Sequence, residues 1–433
     1  EKRRIDDLKK NMFQQLYSLV DTLVIGQVEG VTALAAVSAA GWLDWMVLGL
    51  AMGMAQGFSI LIAQYFGAND VARLRRAAGQ SILLSIVIAV LLTAVSEALL
   101  WPTLLLLQSP ENTIQLTCDY LRIIFAGVSF VMAFNLLSGF LRSLGDSRTP
   151  LYAMTSAALC NIALDILFVA VFRWGVFGVA IATVISQCIS SVICLLALRK
   201  MPIMALSRQD LKADPPMMKR LLGLGVPVAF QNLIISIGGL ALQRVVNGFG
   251  FVFMAGINAA TRLCGLMELA GTSLASAMGT FAGQNLGARK LDRVKLGLRR
   301  SAQIAVGMAL IVALILVLFG RPLLSLFIND EPELVEQVLT YGCRYLNVMS
   351  AGLFMLYLLF VYRSTLQGLG DTVIPMISGF VELAMRIGCV TILPMFLGEW
   401  GVYIAEISAW IGAGAFLMWG YYRRIHILEK EMG

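Results

Sequence analysis

Residues 144–150, Leu-Gly-Asp-Ser-Arg-Thr-Pro, return almost unchanged at residues 369–375 as Leu-Gly-Asp-Thr-Val-Ile-Pro. The echo continues in register beyond these stretches, because residues 174–176 and 400–402 both read Trp-Gly-Val. The spacing between copies is far longer than the period of a solenoid repeat. The chain is therefore an internal duplication of two domain-sized halves.

The composition is that of a membrane protein. Hydrophobic residues make up 59% of the 433 positions and charged residues 14%, whereas soluble domains carry roughly 25% charged residues. Apolar stretches long enough to cross about 30 Å of hydrocarbon recur along both halves. We predict an all-α polytopic membrane protein with twelve transmembrane helices, at 11–28, 33–64, 77–100, 113–141, 150–172, 176–198, 222–247, 251–282, 298–319, 335–362, 373–397 and 401–422.

Six spans in each half return the chain to its starting side. The two six-helix lobes should therefore be related by a pseudo-two-fold axis along the membrane normal, an arrangement typical of secondary transporters. We expect an N-terminal lobe at 1–199, a cytoplasmic linker at 200–216 and a C-terminal lobe at 217–433. Most of the 33 Lys and Arg residues, including Arg363, fall in loops on one side. The positive-inside rule assigns that side, with both termini, to the cytoplasm of a multi-pass cell-membrane protein.

Few ionisable residues fall inside the predicted spans, where a carboxylate at the membrane centre costs about 2.5 to 3.5 kcal/mol. Asp21 lies near the middle of the first span, with no basic residue within a helical turn. Asp165 follows Asn161 by one turn of the fifth span, so both side chains share a face, and Thr183 adds a hydroxyl from the sixth span. Two interpretations stay open: hydrogen-bonded groups that hold helices together, or a proton or cation site.

Two further pairs of charges in the spans are spaced to neutralise each other. Glu382 and Arg386 are four residues apart on the eleventh span, and Asp119 and Arg122 are one turn apart on the fourth. Side chains three or four residues apart are neighbours on a helix surface. We therefore predict two structural ion pairs.

Glycine marks two architectural features. The spacing of Gly49, Gly53 and Gly57 on the second span predicts a face where another helix approaches closely. In the repeated Gly-Asp motif, Gly is expected to end one helix and Pro to open the next. Both features predict packing and loop architecture rather than chemistry.

Residues 13–22 (Phe-Gln-Gln-Leu-Tyr-Ser-Leu-Val-Asp-Thr), 64–68 (Gln-Tyr-Phe-Gly-Ala) and 144–150 together resemble the multidrug and toxic compound extrusion (MATE) exporters. The resemblance covers nearly the whole chain. Within the family, the sequence pattern looks most like the DinF-like branch. It implies two six-helix lobes forming a V-shaped cleft, and antiport of amphipathic, often cationic compounds against H⁺ or Na⁺. The seventh span from Pro227 through Gln243 and the tenth from Tyr345 through Tyr362 carry no acidic residue, so a sodium site of the NorM-like branch is not expected in the C-terminal lobe.

The resemblance implies an N-terminal cation site, and it identifies the members of that site residue by residue as Asp21, Asn161, Asp165 and Thr183. Binding of H⁺ or Na⁺ there would rearrange the first span and disfavour substrate in the cleft. We expect no cofactor beyond the coupling ion, no metal site other than this possible Na⁺ site, and a monomer in contact with membrane lipid. Candidate substrate-cleft residues are Gln14, Tyr17, Asp44, Gln231 and Glu268.

Other functions are weighed against this one. The alternative is a lipid-linked oligosaccharide flippase or a dedicated metabolite exporter of the same superfamily. A flippase needs a markedly basic cavity, and the arginines within spans are Arg122, Arg262, Arg344 and Arg386.

A membrane enzyme is not indicated, because the only histidine, His426, lies in the C-terminal tail and no Walker A or HExxH pattern occurs. The net charge of +7 is explained by anionic lipid without nucleic acid.

Overall fold

The computed structural model describes residues 31–106, 111–325 and 332–432. The long apolar stretches in these ranges are helical, because hydrocarbon offers backbone N–H and C=O groups no partners but each other. The helices, in chain order, are α1 (Val31–Gly67), α2 (Val71–Leu106), α3 (Glu111–Ala126), α4 (Val128–Ser143), α5 (Arg148–Asp165), a π-helix (Ile166–Val171), α6 (Gly175–Arg199), a 3₁₀-helix (Pro202–Met204), α7 (Pro215–Gly248), α8 (Phe251–Gly287), α9 (Leu291–Ser325), α10 (Pro332–Gly368), α11 (Val373–Ile392), α12 (Pro394–Leu397) and α13 (Glu399–Met432).

The number of spans agrees with the prediction. Within the described residues, ten candidate spans are long and apolar enough to cross a membrane, and α3 with α4 forms one further span, bent by 42°. The predicted first span, at 11–28, lies outside the described residues, and with it Gln14, Tyr17 and Asp21. The eleven spans of the described residues correspond to the eleven predicted from position 33 onward, so the all-α polytopic fold is confirmed, and the first span stays a prediction. The bend falls at Gly127, where the predicted span was continuous.

Contacts between residues divide the chain into two compact units, one ending at Leu233 and the other beginning at Ile234. In the first unit, α1 packs against α2, α3 and α4, while α6 packs against α3, α4 and α5. In the second unit, α10 packs against α8, α9 and α13, and α11 packs against α13. The predicted lobe limits, at 1–199, 200–216 and 217–433, stay a prediction.

The duplication is visible in how matching helices end. Asn69 after α1 and Arg289 after α8 both have left-handed backbone, with φ of 57° and 56°. Gly145 after α4 and Gly370 after α10 have φ of 95° and 78°, a conformation that favours glycine. In all four turns the next residue donates its N–H to a carbonyl five positions back. This is a Schellman-type helix end, so both halves share turn geometry as well as sequence.

The aspartate of the repeated motif opens the following helix. Asp146 Oδ1 accepts the N–H groups of Arg148 and Thr149, each at 3.0 Å. In the second half, Asp371 Oδ1 accepts the N–H of Ile374 at 3.1 Å. Such bonds satisfy backbone donors that the first turn of a helix leaves unpaired. The prediction that the motif is loop architecture is confirmed.

The glycine face of α1 meets the first part of α7 within the first unit. A Cβ atom on Gly53 would lie 2.5 Å from Cα of Ala229, and one on Gly57 would lie 2.3 Å from Cα of Gly225. Only hydrogen fits in that space. The predicted close helix approach is therefore confirmed.

The polar stretch between α6 and α7 is held against α2 by Gln80, which is fully buried. Its Nε2 donates to the carbonyls of Asp210 (2.9 Å) and Lys212 (2.7 Å), and its Oε1 accepts the N–H of Asp214 at 3.0 Å. Arg76 on α2 adds an ion pair to Asp214. This connection is therefore an ordered part of the first unit.

Candidate functional site

Two packed helices of the first unit carry three of the four predicted cation-site residues. Asn161 and Asp165 lie one turn apart at the end of α5 and are 1% and 0% exposed. Thr183 lies on α6, which packs against α5. Asp21 lies outside the described residues, so its contact with this cluster stays a prediction.

Polar atoms of two of these residues are buried and have no hydrogen-bond partner among the described residues. They are Oδ1 and Nδ2 of Asn161 and Oγ1 of Thr183. Buried polar groups are nearly always paired, and leaving one unsatisfied costs about 1 to 3 kcal/mol. Hard cations take oxygen ligands. An amide oxygen, a hydroxyl oxygen and a nearby carboxylate therefore fit a small cation, or a proton held on the carboxylate.

A π-helix begins immediately after Asp165, which no feature of the sequence had suggested. It runs over Ile166–Val171, and its backbone bonds include the N–H of Phe172 to the carbonyl of Leu167 at 3.0 Å. Phe168 stacks on Trp174, with ring centroids 5.0 Å apart. Single π-helical turns are rare and often occur at functional sites. The wider turn ends α5 directly at the candidate site.

The second unit buries a network of four charged side chains. Arg363 on α10 donates to Glu382 on α11 at 2.9 Å. Arg386, one turn further along α11, donates to Glu382 and to Glu406 on α13, both at 3.0 Å. Each side chain is 9% exposed or less. The charges neutralise one another in pairs, although Nε of Arg363 is buried and, among the described residues, has no hydrogen-bond partner.

This network confirms the predicted Glu382–Arg386 pair and corrects the prediction for Arg363. Arg363 was expected in a cytoplasmic loop. It is instead buried and paired with Glu382, because α10 continues as a helix to Gly368. A hydropathy pattern shows that a charged residue lies near the end of a span. It does not show whether the side chain faces water or turns inward to pair with a carboxylate.

The network occupies the counterpart of the N-terminal site. Arg386 follows Pro375 by as many residues as Asn161 follows Pro150. α11 and α13 are thus the second-half equivalents of α5 and α6, and they also pack on each other. Both halves of the duplication place their buried polar groups on the same helix pair.

Glu268 on α8 adds a third carboxyl to this region of the second unit. It lies within electrostatic reach of Glu382, Arg386 and Glu406. Among the described residues it forms no ion pair and its side chain accepts no hydrogen bond, and it keeps part of its surface accessible. Three carboxyls meet the two guanidinium groups of Arg363 and Arg386, and Glu268 is the carboxyl without a guanidinium partner among the described residues.

The remaining predicted cleft residues are only partly described. Gln231 on α7 is 2% exposed. Oδ1 of Asp44 on α1 is buried and, among the described residues, has no hydrogen-bond partner. Gln14 and Tyr17 lie outside the described residues. That these residues and Glu268 line one cleft stays a prediction.

Most of the arginines predicted within spans are neutralised. The ion pairs are Arg122 with Glu97, Arg344 with Glu399, and Arg386 with Glu382 and Glu406. The predicted Asp119–Arg122 pair is wrong: Arg122 turns to α2, where its Nε is 3.7 Å from Glu97, and Asp119 accepts from Gln115 at 3.1 Å. Arg122 therefore pairs with a carboxylate on a packed neighbouring helix rather than with one on its own helix.

In the described ranges, no group of three or more His, Cys, Asp or Glu side chains could hold a metal ion.

Similarity to known proteins agrees with this architecture. The probable multidrug resistance protein YoeA of Bacillus subtilis is 28% identical over 434 residues, covering 96% of this chain and 91% of that protein. The FAD transporter of Shewanella oneidensis is 27% identical over 340 residues, covering 76% and 74%. A crystal structure of MATE in complex with MaL6 matches with a TM-score of 0.93 at 24% identity, covering 99% of this chain and 96% of that one.

The family assignment rests on both halves of the duplication. The MatE family model matches residues 9–167 and 227–391, which include α5 of the first half and most of α11 of the second. The matching solved structure shows the same fold. The resemblance stated from the sequence is therefore confirmed, and the chain is a multi-pass membrane protein that belongs to the MatE family.

Proposed function

We propose that this protein exports amphipathic, often cationic small molecules from the cell in exchange for H⁺ or Na⁺, by alternating access. The observation that carries the proposal is the set of buried, unpartnered polar atoms on Asn161 and Thr183, beside Asp165. A permanent structural core would satisfy these atoms. The oxygens of Asn161 and Thr183 are of the kind that a small cation takes as ligands.

The coupling cation is held by Asp21, Asn161, Asp165 and Thr183. Its arrival neutralises one carboxylate charge and draws the amide and hydroxyl oxygens together, which changes the packing of the helices that carry them. For an uncharged substrate, one ion moving through a membrane potential of roughly 150 mV supplies about 3.5 kcal/mol, which sustains roughly a 300-fold substrate gradient. For a monovalent organic cation, one-for-one exchange moves no net charge, so the concentration gradient of the coupling ion drives export.

The substrate side of the exchange uses carboxylates that lack a guanidinium partner. Glu268 is the carboxyl of its cluster without a guanidinium partner, and Oδ1 of Asp44 is buried with no hydrogen-bond partner in the part of the chain that the structure describes. Both favour an organic cation. Gln14, Tyr17 and Gln231 complete the proposed cleft, the protein acts as a monomer, and both termini lie in the cytoplasm.

The charge of the second unit bears on the alternatives. A flippase for a lipid pyrophosphate, or an exporter of an anionic nucleotide such as the substrate named for the Shewanella oneidensis relative, needs free positive charge. Arg363 and Arg386 are both engaged by carboxylates. The third carboxyl of this cluster, Glu268, has no guanidinium partner and disfavours an anion. Cation export is therefore the better supported function.

The coupling site is tested by transport in proteoliposomes, with pH and sodium gradients imposed separately and a fluorescent lipophilic cation as substrate. Asp165→Asn is expected to lower coupled export at least about tenfold, within the usual range of coupling energies. Asp119→Asn, the same change on α3 of the same unit, is the matched control and should stay within about twofold of the unaltered protein. Full export by Asp165→Asn under both gradients would remove the site from the mechanism.

The substrate role of Glu268 has its own test. Glu268→Gln should raise the KM for a cationic substrate about five- to tenfold and leave that for an uncharged substrate unchanged, because only the cation loses an attractive charge. Glu336→Gln, an exposed carboxyl on α10, is the control. Equal losses for both substrates would indicate a packing role instead.

A further inference from the structure

A groove of about 950 Å³ opens on the second unit, apart from the buried charge network. Its walls are α9 and α13, and its floor is formed by residues of α10, which packs against both. None of its lining residues belongs to the proposed coupling or substrate sites. The groove is therefore a separate feature that needs its own account.

The groove changes from polar to apolar along its length. Lys295 and Arg299 of α9 and His426 of α13 line one end, and Val306 of α9 and Leu358 of α10 line the other. From Lys295 to Val306 the helix rises about 16 Å at 1.5 Å per residue. The groove thus has the polarity of a molecule with a charged head and a hydrocarbon tail.

This polarity matches the depth of the groove in the membrane. α9 and α13 have 35 and 34 residues, whereas about 20 residues cross the hydrocarbon. The first turns of α9 and the last turns of α13 carry the charged residues, at the side predicted to be cytoplasmic. The polar end of the groove therefore lies at headgroup level and the apolar end within the hydrocarbon.

One positive charge at the polar end is uncompensated. Lys295 forms an ion pair with Glu429, which links α9 to α13, and Nδ1 of His426 lies 3.9 Å from the same carboxylate. Arg299 is exposed and, among the described residues, forms no ion pair or hydrogen bond. A single free guanidinium is complementary to a ligand with one negative charge.

Aromatic side chains join the two ends. Tyr362 of α10 and Tyr421 of α13 meet edge to face, with ring centroids 5.6 Å apart, and Tyr421 contacts Tyr422 at 5.4 Å. Tyrosine places an apolar ring and a hydroxyl at the level where hydrocarbon meets headgroups. These rings suit the glycerol and ester region of a lipid.

We infer that this groove binds an anionic phospholipid. Arg299 holds the phosphodiester, Tyr422 contacts the ester region, and one acyl chain lies along Leu298, Val306 and Leu358. A soluble phosphate compound would leave the apolar end empty, and a zwitterionic lipid would bring, with its phosphodiester, an ammonium group that the positive charge of Arg299 repels. The inference does not depend on the transport mechanism, because no residue is shared with the coupling site.

The binding of short-chain lipids to the purified full-length protein tests the inference. Dioctanoyl phosphatidylglycerol should bind at least about tenfold more tightly than dioctanoyl phosphatidylcholine, as measured by native mass spectrometry. Arg299→Gln should abolish this preference. Arg293→Gln removes the same charge from the same end of α9, outside the groove, and should preserve it. Equal weakening by both variants would reduce the effect to general surface charge and overturn the site.

Filling the groove gives a test that does not rely on charge. Ala302 lines the groove wall, and Ala302→Trp should reduce binding of both lipids at least about tenfold. Leu310→Trp, on an exposed part of α9, adds similar bulk outside the groove and should leave binding intact. Unchanged binding by Ala302→Trp, or full competition by inorganic phosphate, would show that the lipid is not held there.

Discussion

The two halves of the chain use the same helix pair in opposite ways. On α5 and α6, Asn161 and Thr183 keep buried polar atoms that have no hydrogen-bond partner within the described ranges. On α11 and α13, Glu382, Arg386 and Glu406 pair with one another. A site that exchanges an ion with solution needs unsatisfied ligands, whereas a site with its own guanidinium is already complete. The comparison shows that a duplicated fold conserves the position of a polar site but not its chemistry.

Arg386 and Asn161 show how the two halves differ. It stands where the repeat places Asn161, so a permanent cation occupies the second-half counterpart of a residue proposed to coordinate a mobile one. Glu382 and Glu406 are neutralised without any ion from the solvent. The second half is thereby free to contribute its surplus carboxyl, Glu268, to a different task.

The largest expected effect comes from removing the guanidinium. Arg386→Met leaves Glu406 without its cation, and breaking a buried pair costs about 3 to 5 kcal/mol of unfolding free energy. Thermal unfolding in detergent would measure the loss. The double variant Arg386→Met/Glu406→Met keeps the Arg363–Glu382 pair and should recover most of the stability. An unchanged melting temperature for the single variant would break the comparison.

A second test separates paired from unpaired carboxyls in the same cluster. Glu406→Gln removes one charge-assisted partner of Arg386 and should cost about 1 to 3 kcal/mol. Glu268→Gln removes no ion pair and should leave the unfolding free energy unchanged or slightly higher. The same unfolding assay compares the two. Equal losses would mean that Glu268 also has a structural cation partner.

Removal of a polar side chain from the N-terminal site should raise the unfolding free energy rather than lower it. Asn161→Leu replaces an unsatisfied buried amide by an apolar group of similar size, so the unfolding free energy should rise by about 1 to 2 kcal/mol. Coupled export should fall in the same variant. A variant that loses stability would show that the amide is satisfied in the folded protein, and that α5 and α11 do not differ in this respect.

The smallest effect is expected for an ion pair at the surface. Arg344→Gln breaks the pair with Glu399, whose two side chains are 46% and 21% exposed. Such pairs contribute about 0 to 1 kcal/mol because water already solvates both charges. Unfolding at low and high salt would measure the effect. A loss as large as that of Arg386→Met would mean that burial is not what distinguishes the C-terminal network.

Several side-chain partners could not be predicted from spacing. Asn161 and Asp165 were placed correctly on one face, because helical periodicity alone decides which positions are neighbours on one helix. The partner of Arg122 was predicted wrongly, because its real partner, Glu97, comes from another helix. The π-helix after Asp165 and the contacts of Gln80 depend in the same way on packing that spacing does not report.

The sequence by itself determined the membrane environment, the spans and the duplication, because hydrocarbon forces every apolar stretch of sufficient length to satisfy its own backbone as a helix. Tertiary structure alone decided which charged groups are neutralised, since a charge is satisfied by whichever partner packing brings within about 3 to 4 Å. Arg386 and Asn161 occupy equivalent places in the repeat, and only their neighbours in space show that one site is complete and the other open.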